Sequence, residues 1–112
     1  MRLFHIVSVD DWARAVEAGG YEPPSLAAEG FVHLSFADQV AGTANRYYRA
    51  LDDLQVIELD SSAVESILRI EDTTGSGVQF PHVYGPIAVD AVTAIHPLER
   101  DGTGDYVFTP GA

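Results

Sequence analysis

Three histidines lie in segments typical of β-strands, each beside a second polar side chain. His5 lies in "RLFHIVSV", His33 in "FVHLS" and His82 in "VQFPHVYG". Because alternate residues of a strand face the same way, His33 shares a face with Ser35, and His82 shares one with Tyr84. Imidazoles exchange protons near neutral pH, and hydroxyl groups both donate and accept hydrogen bonds. These five side chains are the first candidates for a site.

Each histidine also has a structural interpretation, in which the ring is buried and bonded to a backbone carbonyl. For a single histidine taken alone, that interpretation is favoured. The functional one rests on "FHIVS" and "VHLSF", which place a histidine and a serine where a strand turns into a helix. Backbone amides at such a turn attract phosphate or carboxylate. Ser35 caps the helix, contacts a ligand, or does both, and Arg46 on that helix is a candidate for binding an anion.

The first predicted strand leads directly into a helix. In "VDDWARAVEAGG" apolar residues recur at helical spacing until Gly19 and Gly20 end the run. Ser8 and Asp11 stand three residues apart, which is the spacing of a capping box. Trp12 on this helix is predicted to lie in the core.

The segment around His33 repeats this pattern. Ser35 and Asp38 predict a cap before a helix that runs from about Phe36 to Leu51. Its predicted apolar face consists of Val40, Ala44, Tyr47, Tyr48 and Leu51.

The second half of the chain is predicted to consist mainly of strands. "LQVIELD" is a third strand, "SSAVESI" a helical turn and "LRIED" a weak strand, followed by the flexible loop "TTGSG". "VQFPHVYG", "DAVTAIHPL" and "DYVFT" are further strand candidates. The sequence therefore predicts an α+β fold with two main helices in the N-terminal half, and its 112 residues predict a single domain over residues 1–112.

Charge and composition limit the partners. Six arginines face seventeen carboxylates, so the formal net charge is −11. Such a chain is expected to bind no extended nucleic acid and no anionic membrane, although one or two arginines could hold a small anion. The absence of cysteine and of an H-E-x-x-H motif predicts no metal site. With no membrane-length apolar run and no signal-peptide pattern, the predicted location is the cytoplasm.

The motifs "FHIVSVDDWARA", "EGFVHLSFADQVAGTANRYY" and "FPHVYGPIAVDAV", in this order, resemble a small bacterial family known as domain of unknown function 952. The resemblance spans residues from about 3 to 98. That family's fold is similar to the ADP-ribosyltransferase fold, a split, strongly bent antiparallel β-structure that holds NAD in a cleft. "VHLS" also resembles a motif of the NAD-dependent RNA 2′-phosphotransferases, which share that fold.

The resemblance implies a role for each candidate residue. His5 and Ser35 would position the ribose next to nicotinamide, and His33 would support or contact it. Arg46 would meet the pyrophosphate. His82 and Tyr84 would act on an acceptor or replace the glutamate that such transferases often carry on a third strand. NAD would be the substrate and small-molecule partner, with His82, Tyr84 and His33 as the catalytic residues.

This sequence departs from the pattern of the related transferases at two places, and each departure narrows the expected activity. Phe4 stands where the phosphotransferases carry an arginine, and together with the negative charge this makes RNA a poor substrate. "FPHVYG" contains no carboxylate, which puts ordinary protein ADP-ribosylation in doubt. The expected reaction is the release of nicotinamide from NAD through a ribose cation, which a small acceptor captures. The alternative is a non-catalytic module on the same fold that binds a nucleotide or small metabolite.

Overall fold

Helices lie in the first half of the chain, and the second half consists mainly of short strands, as a computed structural model describing residues 1–111 shows. The helices are α1 (Val9–Ala18), α2 (Pro24–Glu29) and α3 (Val40–Tyr47). The strands are β1 (Arg2–Ser8), β2 (Gly20–Tyr21), β3 (Val32–His33), β4 (Leu54–Asp60), β5 (Leu68–Glu71), β6 (Phe80–Val83), β7 (Ile87–Ala88), β8 (Val92–Pro97), β9 (Glu99–Arg100) and β10 (Tyr106–Val107). Short 3₁₀ segments cover Ala37–Gln39, Ser61–Ile67 and Val89–Ala91. The α+β class is confirmed.

The first sheet has the antiparallel order β1-β4-β8 and is buried on both faces. Alternation along β1 sends Leu3 and Val7 into one apolar cluster and Phe4 and Ile6 into a second. His5 lies on the same face as Leu3 and Val7. Both clusters hold β1 rigidly in place, so the His5 backbone has a fixed position.

The second sheet has the antiparallel order β3-β6-β5, and it carries the other two candidate histidines. His33 on β3 lies directly opposite His82 on β6. A single antiparallel bridge joins this sheet to the first: the Phe4 amide donates to the Ser35 carbonyl at 2.9 Å, and the Ser35 amide donates to the Phe4 carbonyl at 2.7 Å. The bridge brings β1 beside the end of β3.

Two small ribbons complete the strand pairing. β2 pairs with β7, which places Tyr21 opposite Ile87, and β9 pairs with β10. Tyr21 is buried in the first apolar cluster. No helix within residues 1–111 has the length and apolar character needed to cross a membrane.

Helix α1 begins and ends where the sequence predicts. The Ser8 hydroxyl accepts a hydrogen bond from the Asp11 amide at 3.1 Å, and Gly19 ends the helix with a φ of 81°. That left-handed conformation favours glycine. Trp12 is buried, as predicted.

Ser8→Ala is expected to lower the free energy of unfolding by about 1 kcal/mol, because the Asp11 amide loses its acceptor. Urea denaturation of the two proteins measures the difference. Ser8→Asn is the matched control, since asparagine also caps helices and should keep most of the stability. Equal losses in both variants would show that the cap contributes little.

The predicted start of the second helix is wrong. Ser35 extends the strand through its bridge to Phe4, so a 3₁₀ turn precedes α3, which runs only from Val40 to Tyr47. In place of the predicted cap by Ser35 and Asp38, the Gln39 side-chain oxygen accepts a hydrogen bond from the Phe36 amide at 3.0 Å. A long-range backbone pairing therefore overrides the local capping signal.

The predicted apolar face of this helix is confirmed only at its N-terminal end. Val40 and Ala44 are fully buried, and Tyr48 is half-buried. Tyr47, predicted to lie in the core, is 63% exposed, and Leu51 is 51% exposed. Because α3 ends at Tyr47, the helical spacing used to assign Leu51 no longer applies there.

Candidate functional site

A cavity of about 320 Å³ lies where the two sheets meet. His5 from β1, His33 from β3 and His82 from β6 line it, together with Ser35 at the bridge. The strand alternation read from the sequence is confirmed on β3, because Phe31, His33 and Ser35 all line this cavity. Other parts of the wall include Glu29, Thr43, Tyr47, Tyr48, Thr73 and Thr74.

His5 is fully engaged by protein groups. Its Nδ1 lies 2.7 Å from the His33 carbonyl oxygen, which fixes the proton on Nδ1 because a carbonyl only accepts. Its Nε2 lies 2.6 Å from the Tyr21 hydroxyl, which must therefore donate. Burial lowers the pKa of His5 to about 4, so the ring is neutral at neutral pH. The imidazole forms part of the wall but has no ring nitrogen left for a ligand.

His33, His82 and Glu71 form a hydrogen-bonded chain across the second sheet. His33 Nδ1 lies 3.2 Å from His82 Nε2, and His82 Nδ1 lies 3.0 Å from Glu71 Oε1. The pairing register explains the chain, because His82 faces His33 on one side and Glu71 is its diagonal neighbour on β5. A long side chain spans such a diagonal.

Aromatic packing fixes the orientation of both rings in this chain. Phe31 stacks on His82 with centroids 4.1 Å apart and planes at 19°. Phe80 packs against His33 at 4.8 Å. His82 is only 2% exposed, so its ring cannot reorient without disrupting these contacts.

The two ends of the chain differ in charge. Tyr84 and His82 both donate hydrogen bonds to Glu71 and hold the pKa of its carboxyl below the usual value, so Glu71 is ionised at neutral pH. Burial, followed by the neighbouring His82 and His5, lowers the pKa of His33 to about 4. The His33 ring at the cavity is thus neutral, and the negative charge lies behind His82.

Two candidate residues that line the cavity, His33 and Ser35, each keep a polar group without a protein partner. Among the side-chain hydrogen bonds of residues 1–111, none involves His33 Nε2 or the Ser35 hydroxyl. Ser35 is nevertheless 3% exposed, and the bridge to Phe4 fixes the position of its backbone. These two groups, like other polar side chains of the wall, are available to a bound molecule.

A second cavity of about 370 Å³ adjoins the first and shares Thr43, Tyr47, Thr73, Thr74 and His82 with it. Arg46 and Glu71 line this second cavity and not the first. Its outer wall is the loop after β5, where the Asp72 carboxylate accepts hydrogen bonds from four backbone amides, those of Thr74, Gly75, Ser76 and Gly77. The "TTGSG" segment is thus an ordered turn next to the site.

The structure brings His5, His33, Ser35 and His82 around one cavity. Tyr84 lies outside both cavities and touches their walls through its hydrogen bond to Glu71 and its packing against Phe31. Within residues 1–111, no group of three or more His, Cys, Asp or Glu side chains has the arrangement of a metal site.

Sequence reasoning missed two residues of the site, Glu71 and Tyr21. "FPHVYG" contains no carboxylate, but the neighbouring strand supplies one to His82. The signal was the acidic end of "LRIED", which would have required the register of β5 against β6. Tyr21 lies on a two-residue strand, too short to be recognised from its pattern.

Residues 6–95 match the family described as "Protein of unknown function (DUF952)". The chain belongs to this family. The crystal structure of protein CC0527 from Caulobacter crescentus is similar, with a TM-score of 0.85 and 30% identity over 96% of this chain and 94% of that chain. A double mutant of that protein gives the same values. Its solution NMR structure has a TM-score of 0.82 at 30% identity, over 93% of this chain and 90% of that chain.

The comparison with curated proteins found no match. Membership of the DUF952 family and the likeness to CC0527 therefore establish the family and the fold. The activity has to be argued from the chemistry of the cavity.

Proposed function

We propose that this member of the DUF952 family consumes NAD: it releases nicotinamide and transfers the ADP-ribosyl group to a small acceptor on an ADP-ribosyltransferase-like fold. The observation that carries the proposal is the convergence of His5, His33, Ser35 and His82 on one cavity from two separate sheets. The single Phe4–Ser35 bridge between those sheets agrees with the split β-structure that the resemblance implies.

The size and shape of the two cavities support this proposal. Ligand pockets commonly have volumes of roughly 300–1,000 Å³. The first cavity, of about 320 Å³, fits a nicotinamide riboside, and the adjoining one, of about 370 Å³, continues toward Arg46. Arg46 would meet the pyrophosphate there. The Ser35 hydroxyl would hold the ribose and the His33 ring would contact it with Nε2 free for an acceptor. His5 would act only as a wall, because both of its nitrogens are engaged.

The charge of the first cavity suits a positively charged ligand. The nicotinamide ring of NAD is cationic, and breaking its bond to ribose leaves positive charge on the sugar. His5 and His33 are neutral, and Glu29 adds a negative charge to the wall. Protonated histidines would repel both the substrate and the ribose cation. A site whose charged and polar groups are already in place, with the right sign of charge, stabilises the developing charge without having to rearrange during the reaction.

The proposal is tested by incubating the protein with NAD, measuring NAD binding by calorimetry and nicotinamide release by chromatography. His33→Gln is expected to weaken binding or reduce release at least about 100-fold, because it removes the ring nitrogen that faces the cavity. His96→Gln is the matched control, because the glutamine amide can still donate to Glu58, and circular dichroism checks that this variant is folded. His96 lines neither cavity, so this variant should keep NAD binding and release.

Each outcome separates the candidate functions. Release by the unmodified protein, lost in His33→Gln and kept in His96→Gln, supports a transferase. NAD binding without release supports the alternative, a non-catalytic nucleotide-binding module on the same fold. If NAD neither binds nor is cleaved with water and small alcohols present, the NAD proposal is wrong.

A further inference from the structure

We propose that Glu71, His82 and His33 form a proton relay that deprotonates a small, uncharged, hydroxyl-bearing acceptor in the cavity. This inference rests on the proposed function and deepens it, because it assigns the acceptor class and the group that activates it. The acceptor meets His33 Nε2, and Glu71 acts through His82 as a positioning residue.

The geometry of the relay is continuous from the carboxylate to the cavity. Glu71 accepts the Nδ1 proton of His82 at 3.0 Å, which leaves His82 Nε2 as an acceptor. His33 Nδ1 lies 3.2 Å from that nitrogen and donates to it. His33 Nε2 is then an unprotonated acceptor at the cavity wall. A carboxylate that fixes the tautomer of one imidazole thus fixes the tautomer of the second.

The second histidine is needed because His33 cannot keep a proton. Burial and its two neighbouring histidines make an isolated imidazolium at His33 unfavourable. Transfer of the Nδ1 proton to His82 moves the positive charge next to the Glu71 carboxylate. Opposite charges at hydrogen-bond distance stabilise one another, and here the imidazole is buried while the carboxylate is partly exposed. The relay therefore lets a neutral ring act as a base toward the cavity.

The reaction balances with the groups present. The bond between ribose C1′ and the nicotinamide nitrogen breaks, and its electron pair leaves with neutral nicotinamide. The acceptor oxygen attacks C1′ while its proton passes to His33 Nε2. The Nδ1 proton of His33 passes to His82 Nε2. The relay is restored when that proton returns to His33 Nδ1 and His33 Nε2 releases its proton to water. NAD and the alcohol give ADP-ribosyl ether, nicotinamide and one proton.

The cavity restricts the acceptor to a small and uncharged molecule. Glu29 on the wall and Glu71 behind His82 disfavour an anionic acceptor, and the net charge of −11 acts in the same direction. The volume of about 320 Å³ must hold the ribose as well, which leaves room for a molecule of the size of a short alcohol or water. An alcohol is a weak nucleophile until its proton is removed, so it needs the relay.

The test uses Glu71→Gln, which keeps the side-chain shape but gives His82 a weaker, uncharged partner. Glu65→Gln is the matched control, because Glu65 is exposed on the 3₁₀ segment before β5. Both proteins are incubated with NAD and methanol, and methyl ADP-ribose is measured. Exchange of labelled nicotinamide into NAD is followed in parallel. Circular dichroism checks that both variants are folded.

Glu71→Gln is expected to form methyl ADP-ribose at least about 100-fold more slowly, with a KM for NAD no higher than that of the unmodified protein, since one negative charge beside the pyrophosphate is removed. Nicotinamide exchange should continue, because the ribose cation still forms and then recaptures nicotinamide. The neutral base 3-acetylpyridine, whose nucleophilic nitrogen has no proton to remove, should still be captured by Glu71→Gln and take the place of nicotinamide in NAD. Glu71→Asp, one carbon shorter, should resemble Glu71→Gln.

Three results would overturn the relay. Equal methanolysis by Glu71→Gln and Glu65→Gln removes the role of Glu71 and leaves the proposed function intact. Loss of nicotinamide exchange together with no capture of 3-acetylpyridine shows that Glu71 acts on bond cleavage instead of on capture. If the unmodified protein shows neither exchange nor release, the proposed function fails, and the relay fails with it.

Discussion

Lowering the pH from 7 to 5 is expected to reduce the free energy of unfolding by about 2 kcal/mol through His5 alone. In the folded chain, burial lowers the pKa of His5 to about 4, whereas an unfolded chain titrates near the ordinary value of 6.5. Between these values the unfolded state binds a proton that the folded state excludes. The contribution of His5 to stability is therefore complete above pH 6.5 and is lost as the pH falls toward 4.

His5→Gln provides the comparison for this prediction. Urea denaturation of both proteins at pH 7, 6 and 5 gives the dependence of stability on pH. The variant is less stable at pH 7, because Tyr21 and the His33 carbonyl lose part of their bonding. Its stability should nevertheless fall by about 2 kcal/mol less between pH 7 and pH 5. Parallel curves for the two proteins would show that the folded chain accepts a proton on His5.

Local patterns predicted much of the site. Strand alternation correctly grouped Phe31, His33 and Ser35, because the period of a strand depends only on neighbouring residues. Ser8 and Gly19 marked the ends of α1 for the same reason: capping acts within one turn. Where the interaction that decides a structure is local, the sequence alone is sufficient.

Long-range pairings account for what the sequence did not predict. Glu71 reaches His82 through a strand register set across the loop of residues 72–79, and nothing local specifies that register. The bridge between Phe4 and Ser35 shortens the second helix, although the capping signal is present. His5 finds its partner on the short strand that holds Tyr21.

The three histidines that line the cavity thus separate into different roles by what each ring nitrogen meets. His5 has two protein partners and fits the structural interpretation that the sequence already favoured for a single histidine. His82 also has two partners, but one is a carboxylate and the other a second imidazole. His33 alone presents a ring nitrogen to the cavity. The chemistry we propose therefore depends on His33, with the other two holding it in position.

The fourth histidine belongs to a separate buried network, and breaking that network is expected to destabilise the fold strongly. Glu58 on the central strand β4 accepts hydrogen bonds from Arg2 Nε at 2.7 Å and Nη2 at 3.0 Å, and from His96 Nε2 at 2.7 Å. Arg2→Met leaves this carboxylate, which is 9% exposed, with His96 as its remaining partner. The expected loss is about 2–3 kcal/mol in the free energy of unfolding at pH 7.

Arg14→Met is the matched control, because Arg14 pairs with Asp11 on the exposed side of α1, where an ion pair contributes less than about 1 kcal/mol.

The loss of stability in Arg2→Met should also depend on pH. The hydrogen bond from Arg2 is the main cause that lowers the pKa of Glu58 to about 2 in the folded chain. The stability that this pair contributes is therefore complete above about pH 4.5 and declines as the pH falls toward 2. Urea denaturation should therefore give a smaller difference at pH 3 than at pH 7. Equal losses in the two methionine variants would mean that Glu58 is solvated as freely as Asp11.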